Sequence, residues 1–109
     1  MDLERRAQWL RGVLDLCVLG ILCRGESYGY QLSQALQRAG LGRVQGGTLY
    51  PVLLRLERSG LVTAHWRQGG SGPARKYYRI SEAGRRTLAV TAADWHDFTG
   101  GVTAALTEV

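Results

Sequence analysis

The stretch of the chain best equipped for binding chemistry is GGTLYPVLLRLERSGLV, residues 46–62. If these residues form a helix, successive side chains project about 100° apart and the stretch divides into two faces. One face is apolar and consists of Leu49, Val52, Leu53 and Leu56. The other carries hydroxyl and guanidinium groups among apolar side chains, on Thr48, Tyr50, Pro51, Leu54, Arg55 and Arg58. The spacing therefore predicts a helix with its apolar face in the core and its polar face exposed.

The start of this predicted helix suits an anionic ligand. Unpaired backbone N–H groups point outward at a helix N-terminus, and Gly46 and Gly47 leave room for a phosphate oxygen to approach them. Tyr50 can donate its hydroxyl, and Arg55 can form two hydrogen bonds with a guanine edge or a phosphate. Pro51 fits if the helix begins near Gly47 or one residue later, because a first-turn residue needs no N–H partner. These groups predict contacts with a polyanion such as DNA, although they also suit an ordinary solvated surface.

Other side chains that could do chemistry are too scattered for a catalytic or metal site. His65 lies in a predicted strand and His96 in a predicted helix, and neither has a serine, cysteine or base at catalytic spacing. Asp94 and Asp97 lie near His96, but residues two and three apart on a helix do not converge well on one ion. We therefore expect no enzymatic activity, no metal and no cofactor.

The charge of the chain is unevenly distributed. Its 109 residues carry a net charge of +5. All fourteen Lys and Arg residues precede residue 90 together with six acids, which gives that part a net charge of +8. The remainder carries Asp94, Asp97 and Glu108 and no base. A positive field over the first part of the chain favours a nucleic-acid partner if the basic residues share one surface.

The length and cysteine content set further limits. A chain this short forms one small domain and buries only about two-thirds of its unfolded surface, so we expect a homodimer. No apolar run approaches the roughly 18 residues of a membrane span, and the N-terminus lacks a signal-peptide pattern, so we expect a cytoplasmic protein without membrane contact. Cys17 and Cys23 fall on different faces of one predicted helix, which favours buried, reduced thiols over a disulfide.

Apolar periodicity and turn residues predict four helices and a β-hairpin. Residues 3–24 form one helix that is apolar almost all round, and a short helix follows from a Ser27 N-cap to Gly40. Beyond the helix described above, which Gly60 ends, residues 61–68 and 75–80 alternate as two strands around the flexible tip GGSGPA. Ser81 caps a final helix whose apolar positions recur at spacings of three and four, as in a dimer seam. The seam positions are Leu88, Ala92, Trp95, Thr99, Val102 and Leu106.

This order of elements predicts a winged helix-turn-helix, a mainly α fold with a small β-hairpin (α+β). Residues 1–81 are expected to form the DNA-binding domain, including the N-terminal helix, and residues 82–109 the dimerisation helix of the same structural unit. In this fold the third helix enters the major groove, and the hairpin tip lies along the neighbouring backbone or minor groove. The residues that we expect to contact DNA are Tyr28, Arg43, Gln45, Gly46, Gly47, Thr48, Tyr50, Pro51, Arg55, Arg58, Arg75 and Lys76.

The chain contains the segments DLCVLGIL, ESYGYQLSQAL, GGTLYPVLLRLERSGLV and PARKYYRISEAGRRTL. Over about residues 12–98 these segments resemble the PadR family of bacterial transcriptional regulators, and the single C-terminal helix is similar to its short-tailed branch. The resemblance implies a winged-helix dimer, made by the first and last helices, that binds a roughly palindromic operator of double-stranded DNA. It also implies repression that a small molecule relieves. Leu54 departs from the family pattern, which commonly has two bases after YPVL, so Leu54 is expected to pack or to touch a thymine methyl group.

Trp9 and Trp95 lie on the two helices expected to build the dimer. Core packing at the seam would explain them, and flat aromatic walls would also suit a small planar or apolar effector. The alternative to a DNA-binding regulator is a winged-helix protein-interaction or scaffold module whose basic face contacts no DNA. Binding to random duplex DNA at two salt concentrations distinguishes the two functions.

Overall fold

The computed structural model describes residues 1–108, which form five helices and a three-stranded antiparallel sheet. In chain order the elements are α1 (Leu3–Leu10), α2 (Leu14–Leu22), β1 (Ser27–Tyr28), α3 (Gly29–Arg38), α4 (Gly46–Arg58), β2 (Val62–Arg67), β3 (Arg75–Ile80) and α5 (Glu82–Ala105). The strand order is β1-β3-β2, and β2 and β3 form the predicted hairpin. The predicted winged helix-turn-helix fold, mainly α with a small sheet, is confirmed.

One apolar core lies between α2, α3, α4 and the inner face of the sheet. Its most deeply buried side chains include Leu22 of α2, Leu32 of α3, Leu53 of α4 and Val62 of β2. Burying a side chain of this size contributes about 1.5–3 kcal/mol to folding. Because each of these elements supplies a fully buried residue, none of them can rotate about its axis without opening the core.

The expected single helix over residues 3–24 is wrong, because the chain turns between α1 and α2. Val13 has φ −130° and ψ 3°, outside the helical region, and its N–H donates to the Leu10 carbonyl at 2.9 Å. Gly12 is a poor helix former, and Asp15 in the first turn of α2 favours a new helix start at that point. The apolar stripe runs through the break, so its periodicity gives no sign of it.

The expectation of buried thiols holds only in part. Cys17 is half-buried, and that burial raises the pKa of its thiol. Cys23 is exposed, because α2 ends at Leu22 and the next residues turn towards the surface. Its Sγ accepts a hydrogen bond of 3.2 Å from Arg85 of α5.

Ser27 is not the N-cap that was predicted for α3. It lies in β1, which is only two residues long, and pairs with Tyr78 of β3. Tyr28 is the N-cap residue instead, and its backbone N–H donates to Gln31 Oε1 at 3.3 Å. A strand of two residues has no alternation for a sequence pattern to reveal, so the third strand of the sheet was missed.

The ends of α3 and α4 follow the predicted glycines. Gly40 and Gly60 have φ of +91° and +75°, a left-handed conformation that costs other residues free energy. After α4, the Leu61 N–H donates back to Leu56 and the Gly60 N–H to Glu57, which satisfies two of the last carbonyl groups of the helix.

The start of α4 differs slightly from prediction. The helix begins at Gly46, with Gln45 as N-cap, so that Pro51 is its sixth residue and lies beyond the first turn. In the interior of a helix, the N–H of residue 51 would donate a hydrogen bond to the Gly47 carbonyl. Pro51 has no N–H, so that hydrogen bond is absent. Both residues are exposed, so water can take that place.

The start of α5 leaves no room for a side chain at Gly84. Ser81 caps the helix as predicted, accepting a 3.0 Å hydrogen bond from the Gly84 N–H. A Cβ atom at position 84 would overlap the Leu61 carbonyl oxygen and lie 2.7 Å from Ile80 Cγ1. The Leu61 carbonyl cannot move aside freely, because it accepts the Ser81 N–H at 3.0 Å.

We therefore predict that Gly84→Ala lowers the free energy of unfolding by about 1–3 kcal/mol, the usual cost of overpacking. Gly100→Ala in the same helix is the matched control, since a Cβ there meets no described atom within 4 Å. That control should raise stability by about 0.5–1 kcal/mol, the helix-propensity gain over glycine. Urea unfolding at one fixed protein concentration measures both; equal effects of the two substitutions would contradict the packing argument.

Candidate nucleic-acid interface

The outer face of α4 is free of the core, as its sequence predicts. Leu49, Val52, Leu53 and Leu56 are all buried, at 6% exposure or less. The opposite face, from Gly46 onward, is exposed at every position that was expected to point outward. The exposed positions are Thr48, Tyr50, Pro51, Leu54, Arg55 and Arg58. Helix α4 therefore presents one surface of hydroxyl, apolar and guanidinium groups to the outside.

Tyr50 lies across the start of α3. Its side chain is 53% exposed, and its ring passes close to the backbone of Gly29, the first residue of α3, and of Gly46, the first residue of α4. A groove of about 370 Å³, lined by polar and apolar side chains, lies between α3 and the start of α4 at this point. Arg43 and Gln45 of the preceding loop line the groove with Tyr50. The structure thus brings these three predicted residues together.

Arg55, farther along the exposed face of α4, is held by a residue of α2. Its Nη2 donates to Asp15 Oδ1 at 2.6 Å and its Nε donates to Oδ2 at 3.2 Å, a two-point pair with α2. This hydrogen bond and the attraction of the carboxylate raise the pKa of the Arg55 guanidinium, which is already charged at neutral pH. The Arg55 guanidinium group is therefore bound to the first turn of α2. Arg58, in the last turn of α4, is exposed.

The wing, which we define as β2, β3 and the connecting tip 68–74, carries its cations on both faces. Arg75 lies over the Tyr28 ring, with its guanidinium carbon 4.6 Å from the ring centroid. Lys76 projects from the other face of β3 and places Nζ 3.3 Å from Glu57 Oε1 of α4. Both predicted wing residues are thus positioned by side chains of other elements, Arg75 by β1 and Lys76 by α4.

Tyr28, which is also predicted to contact DNA, packs against the wing from β1. Its ring packs edge-on against Tyr77 of β3, with centroids 5.3 Å apart, beneath Arg75. Tyr77 in turn carries the Arg67 guanidinium 4.1 Å from its ring centroid. The outer face of the sheet is thus a row of stacked aromatic and guanidinium groups.

Acidic partners of these cations are the residues that the sequence analysis missed. Glu26, in the turn before β1, pairs with Arg67 and Arg79 and lies 3.4 Å from His65 Nε2. Asp15 and Glu57 hold Arg55 and Lys76 as described. Most of these pairs join residues about 40 positions apart along the chain or more, so no local pattern pointed to them.

Trp9 and Trp95 share a second, larger cavity. The cavity has a volume of about 890 Å³ and lies between α1, α2 and α5. Its walls are mainly apolar, and Asp15 and Asp94 are its acidic residues. Trp9 is 61% and Trp95 37% exposed, so neither ring is fully covered within one chain.

Two further features concern residues 1–108 as a whole. No group of three or more His, Cys, Asp and Glu side chains in this range is arranged to hold a metal ion. None of the helices in this range is long and apolar enough to cross a membrane.

Comparison with known proteins gives a consistent result. The transcriptional regulator PadR-like family matches residues 18–90. A transcriptional regulator of Mycobacterium tuberculosis is 41% identical over 81 residues, 74% of either chain. A PadR family transcriptional regulator from Eggerthella lenta is 39% identical with a TM-score of 0.83, covering 94% of this chain and 89% of its own. A PadR-like transcriptional regulator from Bacillus cereus is 36% identical with a TM-score of 0.81, covering 91% and 96%.

The matched region includes α3, α4, the sheet and the start of α5, the elements that form the surface described above. Members of this family regulate transcription by binding DNA, and the winged helix supplies the exposed helix and hairpin for that contact. The chain therefore belongs to the PadR-like family of transcriptional regulators.

Proposed function

We propose that this regulator is a ligand-responsive repressor that binds a roughly palindromic operator as a cytoplasmic homodimer. Residues 1–81 serve as its DNA-binding part and the segment 82–109 as its dimerisation part; the helix α5 covers Glu82–Ala105 of that segment, and residue 109 lies outside the described residues. The observation that carries the proposal is the exposed face of α4, whose start is open to the outside while its opposite face is buried. The net charge of +8 before residue 90 supports a polyanionic partner.

In this proposal α4 enters the major groove by its first turns. The backbone N–H groups of Gly46 and Gly47 approach a phosphate, since the first N–H groups of a helix are unpaired. Thr48, whose own N–H donates to the Gln45 carbonyl at 3.0 Å, contributes its exposed hydroxyl group. Tyr50 and Pro51 follow along the same exposed face. Arg43 and Gln45 contact the neighbouring backbone from the loop, and Arg58 extends the contact at the far end of the helix.

The wing contributes phosphate contacts through Arg75 and Lys76, with Tyr28 stacked beneath Arg75. Phosphate contacts release counterions and carry no sequence information. Replacing Arg75 and Lys76 by Ala should therefore weaken binding to operator and random duplex about equally. The slope of log K against log salt should fall by roughly 1 to 2 per subunit.

Fluorescence anisotropy with a labelled duplex at several salt concentrations measures this slope. The control replaces Arg85 and Arg86, two exposed bases of α5, by Ala and should leave the slope unchanged. An unchanged slope in the wing variant would place the wing away from DNA. No binding of the unmodified protein to any duplex would favour a scaffold module instead.

Tyr50 and Arg55 are expected to contribute differently. Tyr50 lies near the helix start, where backbone contacts dominate, so Tyr50→Phe should cost about 0.5–1.5 kcal/mol on every sequence. Arg55→Ala should weaken operator binding and relax base preference at one position per half-site, provided that the guanidinium leaves Asp15 for a base edge.

A matched control for Arg55 is Asp15→Asn, which removes the carboxylate charge while keeping the guanidinium available. Selection of bound sequences from a random library measures base preference. The melting temperatures of Tyr50→Phe, Arg55→Ala and Asp15→Asn should stay within a few degrees of the unmodified protein, because the side chains changed are exposed or half-buried. If Arg55→Ala relaxes no base position, its role is to join α2 and α4 and not to recognise sequence.

The dimer is expected to form along α5. Trp95 and Val102 lie on the predicted seam and are partly exposed, and Phe98 and Leu106 are more than half exposed in one chain. An exposed apolar stripe of this kind is typical of a subunit interface. A twofold axis there would present two copies of α4 to the two half-sites of a palindrome.

Val102→Glu should therefore shift the protein towards monomer, and deletion of residues 88–109 should leave a monomer or an aggregating chain. Val90→Glu makes the same change elsewhere on α5, off the predicted seam and at a residue that is 63% exposed, and should leave the dimer intact. Light scattering over a range of concentrations measures both. A well-folded dimer after the truncation would refute the proposed seam.

The effector is proposed to be a small aromatic or apolar molecule bound beside Trp9 and Trp95. The support is a cavity of about 890 Å³ with mainly apolar walls, within the size range of ligand sites. The cavity opens onto the same apolar stripe of α5, so the second subunit would close it.

A further inference from the structure

Gly29 is buried at the start of α3, directly beneath the ring of Tyr50. A Cβ atom at position 29 would overlap the Tyr50 hydroxyl oxygen and lie 2.8 Å from Cζ and 3.1 Å from Cε1. Cβ atoms of real side chains essentially never lie within 3.0 Å of such an atom. Glycine is therefore the one residue type that leaves Tyr50 in its present place.

Backbone conformation does not explain this glycine. The glycines with positive φ are residues 25, 40, 42, 60 and 70, and Gly29 is not among them. As the first residue of a helix, Gly29 occupies a position that alanine would also fill, and with a better helix propensity. The space taken by the Tyr50 ring is what requires the absence of a side chain.

The Tyr50 ring lies at the surface, across the starts of two helices. Its side chain is 53% exposed and projects away from the buried face of α4. A second glycine is also close to the ring, since a Cβ at Gly46 would lie 3.3 Å from the ring carbons Cδ2 and Cε2. The ring thus packs against the backbone at the start of two helices, at Gly29 of α3 and at Gly46 of α4.

We propose that Gly29 is a positioning residue for DNA binding: by lacking a side chain, it holds the Tyr50 hydroxyl in one orientation towards the DNA backbone. This inference rests on the proposed function, because Tyr50 must contact DNA for its orientation to matter. It adds a requirement that α4 alone does not contain, namely the shape of the start of α3.

The test substitutes Gly29 by Ala. Because the ring end is half-exposed, it can swing into solvent, so the fold should survive with a melting temperature within a few degrees. Affinity for operator and random duplex should fall about 2- to 13-fold, the loss of one net hydrogen bond. Gly20→Ala is the matched control, since a Cβ there meets no described atom within 4 Å and α2 continues through it.

A double-mutant cycle separates positioning from general damage. In a Tyr50→Ala background, Gly29→Ala should cause no further loss of affinity, because the ring that it displaces is gone. Nuclear Overhauser effects give a second readout that does not depend on DNA. The effect between the α-protons of residue 29 and the Tyr50 ring should be strong in the unmodified protein and in Gly20→Ala, and should disappear in Gly29→Ala.

The outcomes are distinct. If the unmodified protein binds DNA and Gly29→Ala binds equally well, or lowers affinity to the same extent without Tyr50, the positioning role is overturned while the proposed function stands. A large loss of thermal stability that persists in the Tyr50→Ala background would likewise make Gly29 a purely structural residue. If the unmodified protein binds no duplex at all, the proposed function fails first and the inference falls with it.

Discussion

The burial of one face of α4 is the constraint on which the rest of the surface depends. Leu49, Val52, Leu53 and Leu56 fill the core from this helix, and each contributes about 1.5–3 kcal/mol when buried. A turn of the helix by one residue would exchange a leucine for an arginine or a tyrosine in the core. The cost of burying an unpaired guanidinium exceeds the gain from any single new contact outside. Packing of the buried face therefore fixes which side chains of α4 face outward. The residues on the outer face do not have to contribute to this orientation.

Acidic residues on neighbouring elements orient the cationic side chains. Asp15 holds Arg55, Glu57 holds Lys76, and Glu26 holds Arg67. Exposed pairs of this kind add at most about 1 kcal/mol to stability, so stability alone does not account for them. Each pair also lowers the local positive charge, and a phosphate must compete with the carboxylate for the cation. The surface consequently has fewer freely available charges than the net charge of the chain indicates.

The sequence predicts the parts of this fold that rest on local patterns. The helical period of α4, the Ser81 cap and the glycine-ended helices all follow from spacing and backbone preference within a few residues. The break at Val13 was missed because apolar residues continue on both sides of it. Strand β1 was missed because two residues carry no period, and the partner of each cation was missed because it lies far away in the chain. Conformational preferences that depend on neighbouring residues can be predicted from a sequence, whereas packing between distant segments cannot.

The proposed effector site and α4, the helix proposed to contact DNA, are joined through α2. Asp15 lines the large cavity and also holds Arg55, and Leu56 of α4 belongs both to the core and to the cavity wall. A ligand changes an equilibrium only by binding two conformations with different affinity. The two conformations that the proposed ligand response requires need differ only in how α2 meets α4, because the same residues border both proposed sites. A response to ligand therefore does not require coupling between distant parts of the molecule. Because the buried face of α4 is tightly packed, moving α4 as a rigid unit costs less free energy than rotating it about its own axis.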